Sequence, residues 1–137
     1  MAMGIDQGTL ATIASIIAAF GAAMLFFRIQ RELHMRAKGE TVWLAIADWL
    51  LVVATLVCLL FVIVPIVLSF GLRLPSAAAA AAAIMVAGYV PAILGHYRIV
   101  FGRRRHGPRA NPEPSERWFV LFTFVAAVAV FLVLLVR

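Results

Sequence analysis

Charge is scarce in this sequence, and acid is the scarcer sign. Six Asp and Glu stand among 137 residues, and charged residues of both signs make up 13% of the chain. A water-soluble domain carries about a quarter. With 65% hydrophobic residues, a soluble fold of this length could not hide its apolar surface. The sequence therefore asks for lipid as its solvent, and the expected fold class is an all-α integral membrane protein with a single domain.

Other absences narrow the chemistry. Cys58 is the one cysteine, so an internal disulfide is excluded, and inside an apolar run it reads as a small hydrophobe. No Lys or Arg precedes Arg28. A cleavable signal needs such residues before its apolar stretch, so the first helix is expected to be retained. The chain has no Gly-rich phosphate loop with Lys and no workable Ser–His–acid set. It has no His, Cys and acid spacing that suits zinc or iron. It has no second acid inside the bilayer to continue a proton wire. Hydrolase, kinase and metalloenzyme readings are left without residues, and a non-enzymatic protein with no cofactor is expected.

What is present is four long apolar runs. Asp, Glu, Lys and Arg are missing from residues 7–27, 49–72, 74–97 and 118–136. A helix crosses a hydrocarbon core of about 30 Å with roughly 20 residues. The pattern predicts a four-transmembrane-helix bundle. Its helices are expected near 7–38, 42–70, 76–101 and 116–136, with a basic loop at 102–115.

The cations set the direction. Arg28, Arg31, Arg36 and Lys38 lie between the first two runs. Arg98, Arg103, Arg104, Arg105, Arg109 and Arg117 lie between the last two. Arg73 and Arg137 alone fall on the other side. The positive-inside rule then gives an N-out, C-out topology with both basic connections in the cytoplasm. A bacterial inner membrane is the simplest setting. The high pI of about 11.1 points to anionic lipid rather than nucleic acid. Arg98, Arg103, Arg104, Arg105 and Arg109 are candidate headgroup or partner contacts, at about 1 kcal/mol per basic residue near the surface. The loop lacks the stacking aromatics that RNA binding needs.

Beyond the first run, Arg28, Glu32 and Arg36 recur at i,i+4 spacing, and Gly39 is a natural stop. Thr41 can open the next helix. This predicts a cytoplasmic helical hairpin extension between helices 1 and 2. Counting back along both limbs sets Asp48 level with Arg31. An Asp48–Arg31 or Asp48–Arg28 interfacial ion pair is expected, flanked by Trp43 and Trp49 at headgroup depth. A proton or cation pathway at Asp48 is the alternative. His34, His96 and His106 share that side, but unequal depths disfavour paired haem ligation.

Small residues mark the packing surfaces. Ala11, Ser15, Ala18 and Ala22 form a seam on the first helix, with Ala14 beside it, suited to close approach within or between chains. Residues 77–83 are all alanine, so the third helix, with Ala80 and Gly88, is expected inside the bundle or at a subunit contact. Pro65 is expected to bend the second helix. The fourth is expected to face lipid. The two halves share a layout of small-residue helix, basic loop and Trp-started aliphatic helix. Residues 39–43 loosely echo 114–118, which would make a parallel repeat.

These features favour a small non-catalytic membrane subunit, either homo-oligomeric or docked on a larger complex. An oligomeric channel, anion-favouring through its Arg rings, is the second reading. A small carrier or a haem or quinone protein is the third, with only Thr12, Ser15, Thr55 and Thr123 to furnish a polar pocket.

Overall fold

The computed structural model describes residues 6–39, 45–69, 71–101 and 114–137, with backbone alone over 96–101. Among the described residues there is no strand. Four helices are each long and apolar enough to cross a membrane. They are α1 (Gln7–Ala37), α2 (Asp48–Val67), α3 (Arg73–Phe101) and α4 (Pro114–Val136).

Local chemistry sets their ends. The Thr9 N–H donates to Asp6 Oδ1 at 2.7 Å and caps α1. That bond, with help from the Thr9 hydroxyl, holds the Asp6 carboxyl below the usual range. Gly39 closes α1 with φ +73, a left-handed conformation that costs glycine little. Pro114 opens α4 and Pro75 sits in the first turn of α3, where a missing N–H costs nothing. For that reason α3 starts at Arg73 rather than 76, and α4 at Pro114 rather than 116.

The second helix departs furthest from expectation. Ala45 is not helical, Ile46 and Ala47 form a turn, and helix begins only at Asp48. The expected helix from 42 is therefore interrupted at 45–47; residues 40–44 lie outside the described residues. At its other end α2 stops at Val67, because Ser69 turns into the left-handed region (φ 59). The expected disturbance at Pro65 takes the form of a π-helical stretch over Leu59–Ile63. Proline lacks an N–H and its ring crowds the carbonyl four residues back. The wider turn placed just before it relieves that crowding.

The helix α3 touches all three others, and α4 rests chiefly on α3. The alanines explain its central place. Ala77, Ala78, Ala79, Ala81 and Ala82 are buried, Ala80 is partly buried and Ala83 is exposed. Short side chains let neighbouring backbones approach from two sides. On α1 the inward face is Leu10, Ala14, Ala18, Gly21 and Arg28. The expected seam is therefore rotated by about one residue: Ala11 is partly buried, and Ser15 and Ala22 are exposed. The cause is Gly21, the point of closest approach to α2. A Cβ there would overlap Thr55 Oγ1 and lie 3.4 Å from the Leu51 carbonyl oxygen.

That crossing is made twice. At Gly88 of α3 a Cβ would overlap the Thr123 side chain of α4. Arg28 stands seven residues after Gly21, and Gly95 seven after Gly88. Asp48 stands seven before Thr55, and Glu116 seven before Thr123. Buried positions follow the same register, with Leu10, Ala14 and Ala18 matching Ala77, Ala81 and Met85. The chain is thus two helical hairpins repeated in parallel. The register pairs Asp48 with Glu116, not the stretch at 39–43 with that at 114–118. Replacing Gly88 with Leu forces side-chain volume into the α3–α4 crossing and is expected to destabilise the bundle by about 1–3 kcal/mol. Gly71→Leu, where nothing lies within 4 Å, is expected to leave thermal unfolding in detergent unchanged.

Candidate functional site

The strongest cluster of polar side chains sits at one end of the bundle and draws on every helix. From α1, Arg28 is 8% exposed. Its Nε faces the Asp48 carboxylate of α2, at 3.3 Å from Oδ1 and 3.2 Å from Oδ2. Its Nη2 lies 3.6 Å from Glu32 Oε1, one turn further along α1. From α3, the Tyr89 hydroxyl donates to Asp48 Oδ1 at 3.4 Å. One guanidinium is thus held between two acids, and one acid between a guanidinium and a phenol.

The second part of the cluster comes from α4. Glu116 has no solvent exposure. Its Oε1 accepts the Ala47 backbone N–H at 2.9 Å. Ala47 directly precedes α2, so its N–H lacks the partner an intrahelical ladder would supply. The far helix provides that partner. Glycine at 95 makes the route possible: a Cβ there would lie 3.3 Å from the Glu116 backbone nitrogen. Leaving a buried N–H unmade costs about 1–3 kcal/mol, and more where a charge is left as well.

Trp49 and Trp118, each close to one of these acids in sequence, point outward at 66% and 71% exposure. Tryptophan prefers the headgroup level. Both tryptophans thus flank the polar cluster on its outer side.

Of the two cations proposed opposite Asp48, Arg28 makes the contact, and Arg31 is exposed. The equal count along both limbs assumed helical rise from 42. Because residues 45–47 are not helical, the register moves by about one turn. The side chain of Arg98, and Arg103, Arg104, Arg105 and Arg109 altogether, lie outside the described residues, as does Trp43. Ala18 and Gly88 lie on packed faces, and Ala80 is partly buried. Ser115 is inside α4, with its Oγ buried and no hydrogen-bond partner among the described residues.

Tyr89 and the inward reach of Glu116 were missed from sequence. By local position Glu116 is a first-turn acid, where the helix dipole alone would account for it. The available signal was the matching seven-residue interval from acid to threonine in both halves. Among the described residues, no three His, Cys, Asp or Glu side chains are grouped to share a metal ion.

Fold and cluster together define an all-helical protein with four helices fit to cross a membrane, closed at one end by its own polar groups. Comparison of the chain with family models, curated proteins and solved structures gives no match.

Glu116→Ala strands the Ala47 N–H and is expected to cost about 1–3 kcal/mol. Glu116→Gln keeps an acceptor and is expected to cost less. Arg28→Ala leaves the Asp48 carboxylate with the Tyr89 hydroxyl and no cation opposite it, and is expected to cost about 3 kcal/mol. Unfolding of the purified variants in detergent measures all three.

Proposed function

We propose that the protein is a small non-catalytic subunit of the bacterial inner membrane, built to assemble with copies of itself or with a larger membrane complex. Both termini lie outside, and the α1–α2 connection and residues 102–113 lie in the cytoplasm against anionic lipid. The observation that carries this reading is how the polar groups are used. The Arg28, Asp48, Tyr89 and Glu116 side chains are engaged with one another or with backbone. Catalysis or transport needs polar groups free to meet a substrate.

The outward faces support the same reading. Ile16, Trp118, Phe122 and Val136 are all more than half exposed, which suits lipid or an apolar partner and little else. The channel reading gains nothing from a single copy, because its centre is filled by the alanines of α3. A pore would have to form between copies.

Gentle detergent purification, with copy number and co-purifying proteins read by native mass, tests the proposal. The expected result is a stoichiometric assembly, silent in planar bilayers, with a C-terminal tag reached only from outside the cell. Charge-selective conductance abolished by Arg substitutions would replace it with the channel.

A further inference from the structure

The internal repeat makes one helix–helix interface inside the chain and leaves both halves of the same interface open at its two ends. The inner interface is that of α2 on α3. Its α3 side includes Ala78, Ala82 and Tyr89, all buried. The Tyr89 hydrogen bond to Asp48 fixes this face toward α2. On α2, Leu50 and Ala54 are buried at 2% and 0% exposure, and at about 100° per residue they stand about 100–140° round the helix from Thr55, which meets α1, so we assign them to the α3 side.

The repeat register carries each half to another helix. The register that matches Gly21 with Gly88 places Ala11, Ser15 and Ala22 of α1 where α3 has Ala78, Ala82 and Tyr89. Ser15 and Ala22 are exposed and Ala11 is partly covered. The register that matches Asp48 with Glu116 places Trp118 and Phe122 of α4 where α2 has Leu50 and Ala54. Trp118 and Phe122 are 71% and 75% exposed. One molecule thus presents an α3-like face without its α2 and an α2-like face without its α3.

We propose that α4 of one copy docks on α1 of the next, repeating between molecules the contact that α2 and α3 make within one. The occupant of the small-residue face of α1 is a second copy of this chain, through its Trp118 and Phe122. Size supports the match. Relative to the inner interface, α4 has gained bulk, with Trp118 in place of Leu50 and Phe122 in place of Ala54, while α1 stays small, with Ser15 in place of Ala82 and Ala22 in place of Tyr89. Aromatic side chains on α4 meet small ones on α1, the usual basis of close packing where lipid offers no hydrophobic drive. The contact is head-to-tail, so it either closes into a ring of more than two copies or continues as a row. This inference rests on the assembly reading above and specifies its partner and surface.

The antiparallel register of α2 and α3, transferred to α4 and α1, sets Phe122 at the depth of Ser15. The test is to co-express two singly substituted chains, Ser15→Cys and Phe122→Cys, each with Cys58→Ala and different tags, and to cross-link them in native membranes. Cross-links between the two variants, and not between like variants, are expected. Cross-links joining Ser15→Cys to Ser15→Cys, or Phe122→Cys to Phe122→Cys, indicate a two-fold contact and overturn the inference. So does the lack of any product when both cysteines react with maleimide. Ser15→Trp provides an independent check. Position 15 is exposed in the single copy, so the bundle should fold and unfold as before while self-association weakens about tenfold or more. Unchanged association overturns the inference. If the chain co-purifies with another protein but never cross-links to itself, the subunit reading stands and this inference falls. A monodisperse monomer without partners removes both.

Discussion

A fully buried carboxylate on an isolated backbone N–H holds this bundle's two halves in register. Glu116 reaches from the start of α4 to Ala47, the residue before α2. Where packing excludes water nothing replaces a missing bond, so each buried polar group here must find a protein partner. Few arrangements satisfy the Ala47 N–H, the Glu116 carboxylate, the Asp48 carboxylate and the Arg28 guanidinium together. Each of those groups sits on a different helix or just before one. Satisfying them fixes the relative heights of α1, α2 and α4, and Tyr89 adds α3.

The apolar part of the structure is organised by the same repeat. Gly21 against Thr55 and Gly88 against Thr123 bring each pair of helices to its closest approach. Two turns beyond these crossings the hairpins diverge, with Arg28 in one and Gly95 in the other. In the first hairpin the arginine binds its own hairpin's acid. In the second, the glycine leaves space and the acid crosses to the neighbouring hairpin. A tandem of near-equal units thus becomes a single bundle through one unequal position. The same inequality turns Asp48 toward α1 and Glu116 toward α2.

Much of the fold was legible in the residues. Four charge-free runs set the helix count, because bilayer thickness dictates their length. The all-alanine stretch marked the helix able to sit between others. Pro65 marked the disturbance in α2. The rest depended on information the pattern does not carry. Two small-residue stripes run side by side along α1, and only the contact of Gly21 with Thr55 decides which turns inward. The start of α2 was misplaced because Thr41 is a plausible cap by type, whereas the turn at 46–47 is held from α4, far away in sequence. Arg28 and Arg31 are equivalent cations on the helix surface, and one turn of register separates them. Glu116 is a first-turn acid by every local rule, and its burial follows from Gly95, twenty-one residues earlier.

Amide hydrogen exchange of Ala47 in lipid nanodiscs tests the central contact most directly. Ala47 precedes α2, so an N–H there that met only water would exchange at nearly the rate of an unstructured chain. With Glu116 as its acceptor it should be protected as strongly as the interior of α2, at Leu51 or Ala54. Exchange at the rate of an unstructured chain would contradict the carboxylate link between the hairpins.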